Sequence, residues 1–338
     1  MEDIAPGLLE KIRASFIRNI QSNAEIQALN QAIESGAATY AEAEQFGIKV
    51  GEELADAFGE HLSSANLPHG KLFYNIADRV VRPLLEEDFE LVANAAAEVQ
   101  KALNQKAGIR IKAQTATVDT DRVDGIIESL VKAEQYDDIA WLLEEPLVNF
   151  SLGAVTETLR VNFEFHGKSG MNPKVIRKCE AKACKWCRSL AGTYSYFDDF
   201  DRNVFRRHQR CRCTVLYDPG NGKLENVHSK KRVTTRDIAE RESRQIIGMR
   251  TSNGTTVQGM SKHAIDQLSS RNVTAERMRD AISNPLAVTE TQYDKLGRPS
   301  FQIIGQKATL TINPNTGKVL TAYPTHTETV KMYKRAKR

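Results

Sequence analysis

Apolar residues recur with helical spacing through the first third of the chain. Leu9, Ile12, Phe16 and Ile20 return every three or four residues and form one stripe of an amphipathic helix. Phe46, Val50, Leu54 and Phe58 return at every fourth position, and the pattern breaks at Gly59 and Ser63-Ser64. From Phe73 to Leu103 the chain is rich in Ala, Leu, Glu and Val, with Gly108 as the expected C-cap. Pro83 lies inside that stretch and predicts a kink or a split, because proline lacks an amide donor and crowds the preceding turn. Asp124 to Leu143 predicts another helix, with Ile126, Ile127, Leu130 and Val131 buried and Pro146 closing it. The texture then changes. Val161-Asn-Phe-Glu-Phe165 and Cys213-Thr-Val-Leu-Tyr217 alternate like strands, with Trp186, Tyr194, Tyr196, Phe197 and Phe205 between them.

Beyond Asn226 the chain loosens. HSKKRVTTRDIAERESRQ is basic and polar, TSNGTTVQG has linker composition, and a boundary is expected close to Thr255. Ser261 can cap a helix through His263 and Leu268. Thr274 can cap a second through Met278, Ala281 and Ile282, stopped by Asn284-Pro285. Strands are expected over Leu286–Thr291, Ser300–Ile304, Ala308–Asn313 and Val319–Pro324, the last two joined at Asn315-Thr316-Gly317. In the last strand, alternation puts Leu320 and Ala322 on one face and Thr321, Tyr323 and Thr325 on the other. Leu310 and Ile312 oppose Thr309, Thr311 and Asn313 in its partner, so one sheet face carries mainly hydroxyl and amide groups.

The 338 residues leave room for two or three domains, and no apolar run approaches the roughly 20 residues of a membrane span. The N-terminal MEDIAPGLLEKI lacks a signal-peptide core, so a reducing compartment is expected, with no membrane partner. The net charge of +4 conceals a gradient. Residues 1–110 hold 10 Lys and Arg against 17 Asp and Glu, residues 111–222 balance at 16 each, and residues 223–338 hold 21 against 10. A basic C-terminal third suits a polyanionic partner.

All five cysteines fall between Cys179 and Cys213. Cys184-x2-Cys187, answered by His208-x2-Cys211-x-Cys213, has the spacing of a four-ligand structural zinc site. Thiolates and imidazole suit that ion, and tetrahedral closure leaves no position for a substrate. Four ligands are expected from Cys179, Cys184, Cys187, His208, Cys211 and Cys213. An odd number of cysteines opposes a disulfide framework, and no βαβ pattern supports a redox pair.

The run CKWCRSLAGTYSYF, then VFRRHQRCRCTVLYDPGNGK and NVHSKK, resembles the phage head-morphogenesis family, the Mu F-like minor head proteins. The likeness covers roughly residues 150–230. It implies a minor capsid protein carried in the virion, partnered by portal and capsid proteins and linked to packaged DNA. Cys184, Cys187, His208 and one of Cys211 or Cys213 would be its metal ligands.

The segments KHAIDQLSSRNVTAERMRDAISNPLAV and GRPSFQIIGQKATLTINPNTGKVLTAYPT resemble metal-independent toxin ribonucleases of the barnase, EndoU, colicin and RelE-like superfamily. That chemistry needs a proton acceptor for the 2′-OH, a proton donor for the leaving oxygen and cationic or hydroxyl groups around the phosphate. The resemblance places His263, Arg271 and Thr321 in those roles, followed by Tyr323 and Thr325; an arginine usual near position 267 is Gln267 here. It implies an RNA substrate, no catalytic cofactor, a cognate immunity protein and delivery from virion to host cytoplasm.

The expected architecture is therefore α+β and multidomain. A helical part covers residues 1–150, a zinc-stapled α+β module 151–225, a basic linker 226–258, and a compact helix-plus-antiparallel-sheet nuclease domain 259–338. A purely structural minor capsid protein with a basic nucleic-acid-binding tail is the alternative.

Overall fold

In the computed structural model, which describes residues 3–198, 201–208, 210–220, 235–271 and 273–336, the apolar stripes become packed helices. Helix α1 (Ala5–Ser22) buries Ile12 and Phe16. Helix α2 (Ala24–Glu34) is capped by the Asn23 side chain, which accepts from the amides of Glu25 and Ile26. Helix α3 (Tyr40–His61) starts at a Thr39–Glu42 capping box. Helix α4 (Tyr74–Lys106) runs 33 residues with Pro83 inside it, so of the kink or split expected there the split does not occur. A mid-helix proline costs about 3 kcal/mol. Val80, Val81, Leu84 and Leu85 around it are fully buried, at ~1.5–3 kcal/mol each, and this packing outweighs the lost hydrogen bond. Gly108, at φ 69°, follows the helix end, and the Ile109 amide reaches back to the Asn104 carbonyl at 2.8 Å.

Helix α5 covers only Thr120–Leu130, and two 3-10 turns replace the rest of the expected helix. Pro146 opens helix α6 (Glu145–Lys168) instead of closing its predecessor, since the first turn needs no amide donor. Val161–Phe165, expected as a strand, belongs to α6. Val155, Leu159 and Phe163 are buried at every fourth position, and that longer period decides against the five-residue alternation. Residue 150, the expected domain boundary, falls within this helix. Gly51 lets α3 approach α6 closely: a Cβ there would lie 2.6 Å from Ser151 Oγ and 3.0 Å from Val148 Cα.

After α6 come strand β1 (Lys174–Lys178), helix α7 (Lys185–Ser189), strand β2 (Gly192–Ser195) and strand β3 (Thr214–Asp218), forming an antiparallel sheet in the order β2-β1-β3. All of this lies in one compact unit, Met1–Ser229; the second unit is Lys230–Arg338.

The second unit comprises helix α8 (Thr235–Arg244), strand β4 (Gly259–Met260), helices α9 (Lys262–Arg271) and α10 (Ala275–Ser283), and strands β5 (Ala287–Val288), β6 (Gln292–Tyr293), β7 (Pro299–Ile304), β8 (Ala308–Ile312) and β9 (Lys318–Pro324), then helix α11 (Thr327–Ala336). Its sheet runs β4-β9-β8-β7-β5 with β6 also on β7, and all pairs are antiparallel except β4 with β9. Residues 235–258 are not a linker. Ala239, Ile246 and Val257 enter the same core as Leu268, Met278, Phe301 and Leu310, widely spaced apolar positions that a polar composition masks. The remainder of the expected linker, 226–234, lies outside the described residues.

A bulge breaks the alternation of β9. Thr311 pairs with Thr321 but Ile312 pairs with Val319, leaving Leu320 as the extra residue. Val319 and Ala322 therefore both enter the core, and the expectation that Leu320 shares the face of Ala322 is corrected. Among the described residues the chain is an α+β protein with eleven α-helices and two sheets. No described helix is long and apolar enough to cross a membrane.

Candidate metal centre and polar sheet face

The cysteines gather around Cys187. Cys184 is the N-cap of α7, and its sulfur accepts from the Cys187 amide at 3.4 Å, a hydrogen bond that lowers the Cys184 pKa. His208 arrives from the loop before β3, its Nε2 lying 3.0 Å from Cys187 Sγ and 3.4 Å from Cys184 Sγ. Arg210 adopts φ 59° and turns the chain so that Cys211 follows, with its sulfur 3.7 Å from Cys187 Sγ. Cys213 completes a second group with Cys187 and Cys211. Cys179 packs against these three, and its thiol donates to the Cys187 carbonyl at 3.1 Å. Burial pushes the Cys187 thiol up. Burial also opposes ionisation of Cys213, but hydrogen bonds from Cys179 and Cys187 outweigh it and lower that pKa.

The fit to a metal ion rests on this donor chemistry. Soft sulfur and imidazole donors converge from two chain segments, and Cys187, Cys211 and Cys213 form a buried cluster of their own with Cys179 and Ala183 packed against it. The five motif residues fall into two groups that share Cys187, and Cys179, the sixth candidate, packs against the second of them.

Sequence reasoning missed Arg177. It is 1 % exposed on the core-facing side of β1, and its Nη2 lies 3.5 Å from both Cys187 Sγ and Cys211 Sγ. Nη1 donates to the carbonyls of Val204 at 2.6 Å and Arg206 at 2.8 Å, so one guanidinium ties β1, both sulfurs and the loop before His208. Its Nε has no partner among the described residues. Only the strand reveals it: in Val-Ile-Arg-Lys, Arg177 shares the parity of buried Val175, and a core-facing arginine calls for buried acceptors or anions.

The helices hold the ligand loop in place. Arg207, next to His208, forms a buried ion pair with Glu44 of α3 and donates to Thr156 Oγ1 of α6 at 2.8 Å. Glu44 also accepts from the Val215 amide at 2.9 Å. Burial raises the Glu44 pKa, and Arg207 and that amide offset it only in part. Arg212 reaches Glu145 of α6 at 2.7 Å. Trp186 covers His208 edge-on at 5.7 Å between centroids. Two histidines away from this cluster have structural partners: His166 is buried against Tyr217, and burial lowers its pKa to about 4, while His61 shares a 2.7 Å hydrogen bond with Ser15.

In the second unit, Gln302, Thr311 and Thr321 stand side by side across β7, β8 and β9 on the face away from the core, and Tyr323 pairs with Thr309 in the next row. Thr325 and Thr309 share a hydrogen bond at 2.9 Å. His263 and Arg271 are both exposed on α9, eight residues and therefore about 12 Å apart along the helix axis. Ser261 donates its amide to Val319 and its hydroxyl to the Leu320 carbonyl at 2.9 Å, which sets the first turn of α9, with His263, beside the bulge that precedes Thr321. Among the described residues no hydrogen bond joins His263 or Arg271 to Thr321, Tyr323 or Thr325.

Compared with protein families, curated proteins and solved structures, the chain finds no match in any of the three.

Proposed function

We propose that this chain is a phage minor head protein, associated with portal and capsid proteins, whose C-terminal unit is a metal-independent endoribonuclease delivered with the virion into the host cytoplasm. The first unit carries a structural zinc site at Cys184, Cys187, His208 and the Cys211–Cys213 pair. The observation that carries the nuclease reading is the Ser261 double hydrogen bond onto β9. It ties the first turn of α9, which bears the exposed His263, to the β9 backbone at Leu320, the residue before Thr321. In this reading His263 takes the 2′-OH proton and returns it to the leaving 5′ oxygen as the P–O5′ bond breaks, and the Thr321 hydroxyl donates to a non-bridging phosphate oxygen. Arg271, farther along α9, grips a flanking phosphate of the RNA backbone. Tyr323 and Thr325 extend the same hydroxyl face, and the basic last third draws RNA in, so binding weakens as salt rises. The head-protein reading rests on the cysteine and histidine motif and its sequence resemblance; a cognate immunity protein and packaged DNA are further partners it entails.

The test is the EDTA-treated full chain incubated with total bacterial RNA. Wild type should cleave it and leave 2′,3′-cyclic phosphate ends. His263→Ala should lose about a hundredfold or more in rate, Arg271→Ala should chiefly weaken RNA binding and flatten its salt dependence, and Lys331→Ala should change little. No cleavage by wild type, or equal cleavage by His263→Ala, leaves the purely structural head protein with a basic nucleic-acid-binding tail as the better reading.

A further inference from the structure

The donors around Cys187 exceed what one structural ion uses. A structural zinc ion closes on four ligands, whereas Cys179, Cys184, Cys187, His208, Cys211 and Cys213 all meet here. They do not form one tetrad. Cys184, Cys187 and His208 have donor atoms within 4.8 Å of one another, and so do Cys187, Cys211 and Cys213. Cys187 alone belongs to both groups. Two sulfurs on one tetrahedral zinc ion stand ~3.8 Å apart, given Zn–S near 2.3 Å. Cys187 and Cys211 are 3.7 Å apart, matching that edge, and His208 Nε2, 3.0 Å from Cys187 Sγ, groups with Cys184 and not with the Cys211–Cys213 pair.

We propose that this is a two-ion thiolate cluster in which Cys187 Sγ bridges both ions. The outer ion is held by Cys184, Cys187 and His208, and its fourth position faces solvent, because Cys184 and His208 are exposed. The inner ion is held by Cys187, Cys211 and Cys213, all at most 2 % exposed, with Cys179 as the fourth thiolate. This deepens the zinc reading above and rests on it. Loading releases the five thiol protons to solvent. Two divalent ions, five thiolates and the Arg177 guanidinium then sum to zero charge, the condition for burying such a group without a large desolvation cost. A single four-coordinate ion would leave two of these six donors unligated.

The experiment is a metal count on the reduced full chain, loaded with excess zinc, freed of unbound metal and read by elemental analysis and native mass spectrometry. Two ions per chain are expected, removed by a competing chelator in two steps with the exposed ion first. Cys184→Ser and Cys213→Ser should each retain one ion, and Cys187→Ser should retain less than either. Cadmium substitution of the wild-type chain gives a check that needs no variant: two cadmium NMR signals, one from an all-sulfur environment and one from sulfur with nitrogen. One ion per chain with a single cadmium signal overturns the two-ion cluster and leaves the single-zinc reading standing. No bound ion sinks both.

Discussion

Arg177 explains how several thiols tolerate one another in a buried space. Sulfur groups buried so close together need cationic compensation if any of them ionises. The guanidinium lies 3.5 Å from two of the sulfurs while two loop carbonyls fix its orientation. Outer groups that orient metal ligands typically change affinity by about 10–100-fold when removed. Arg177→Met should therefore lose zinc to a competing chelator at least tenfold more readily than wild type. Arg177→Lys should fall between the two, since it keeps the charge but cannot hold both carbonyls and both sulfurs. Unchanged metal retention in Arg177→Met would show that the arginine serves only the packing of β1.

At the level of elements, the packing of α4 against α6 contains a polar defect. Asp88 of α4 is fully buried, accepts one hydrogen bond from Ser151 Oγ of α6 at 2.7 Å, and its second oxygen has no partner among the described residues. Burial raises its pKa from 3.8 to about 7. The folded state therefore holds a proton that the unfolded chain releases. The Asp88 contribution is complete below the unfolded pKa and is lost as pH rises from near 4 to near 7, by up to about 4 kcal/mol at ~1.4 kcal/mol per unit. Asp88→Asn keeps the shape without the titration. It should unfold at a higher temperature than wild type at pH 8, and the difference should shrink towards pH 5. A variant with the same pH dependence as wild type would clear Asp88 of this role. The helices around it were legible because their apolar stripes repeat over many turns. The strand at Val161–Phe165 was misread because a five-residue window cannot tell alternation from a buried helix face. The convergence of Cys184, Cys187, His208, Cys211 and Cys213 was legible from spacing alone. Arg177 and Arg207 were not, because an arginine reads as a surface residue until the sheet parity and the loop path are known. The bulge at Leu320 has no local signature, since it arises from the pairing with β8.

Across the whole molecule, the chemistry divides as the chain does. Every cysteine lies in the first unit, and the second, Lys230–Arg338, has none. Its core of Ile246, Leu268, Met278, Phe301, Leu310 and Val319 closes without metal donors. Ligand binding stabilises only the structure that holds the ligand, by an amount that grows with the logarithm of its free concentration over its dissociation constant. Metal bound to Cys187 and its neighbours should thus stabilise the first unit and leave the second untouched. Scanning calorimetry of the full, reduced chain should resolve two transitions, and a strong chelator should lower one of them. Assigning the transitions needs a local probe. Both tryptophans, Trp141 and Trp186, lie in the first unit, so tryptophan fluorescence should follow the chelator-sensitive transition. RNA cleavage, measured between the two transitions in chelator, should persist, because His263, Arg271 and Thr321 lie in the unit that keeps its fold. If chelation lowers both transitions together, the two units do not fold independently. A chelator that lowers neither would mean the cysteine cluster holds no ion that the fold depends on.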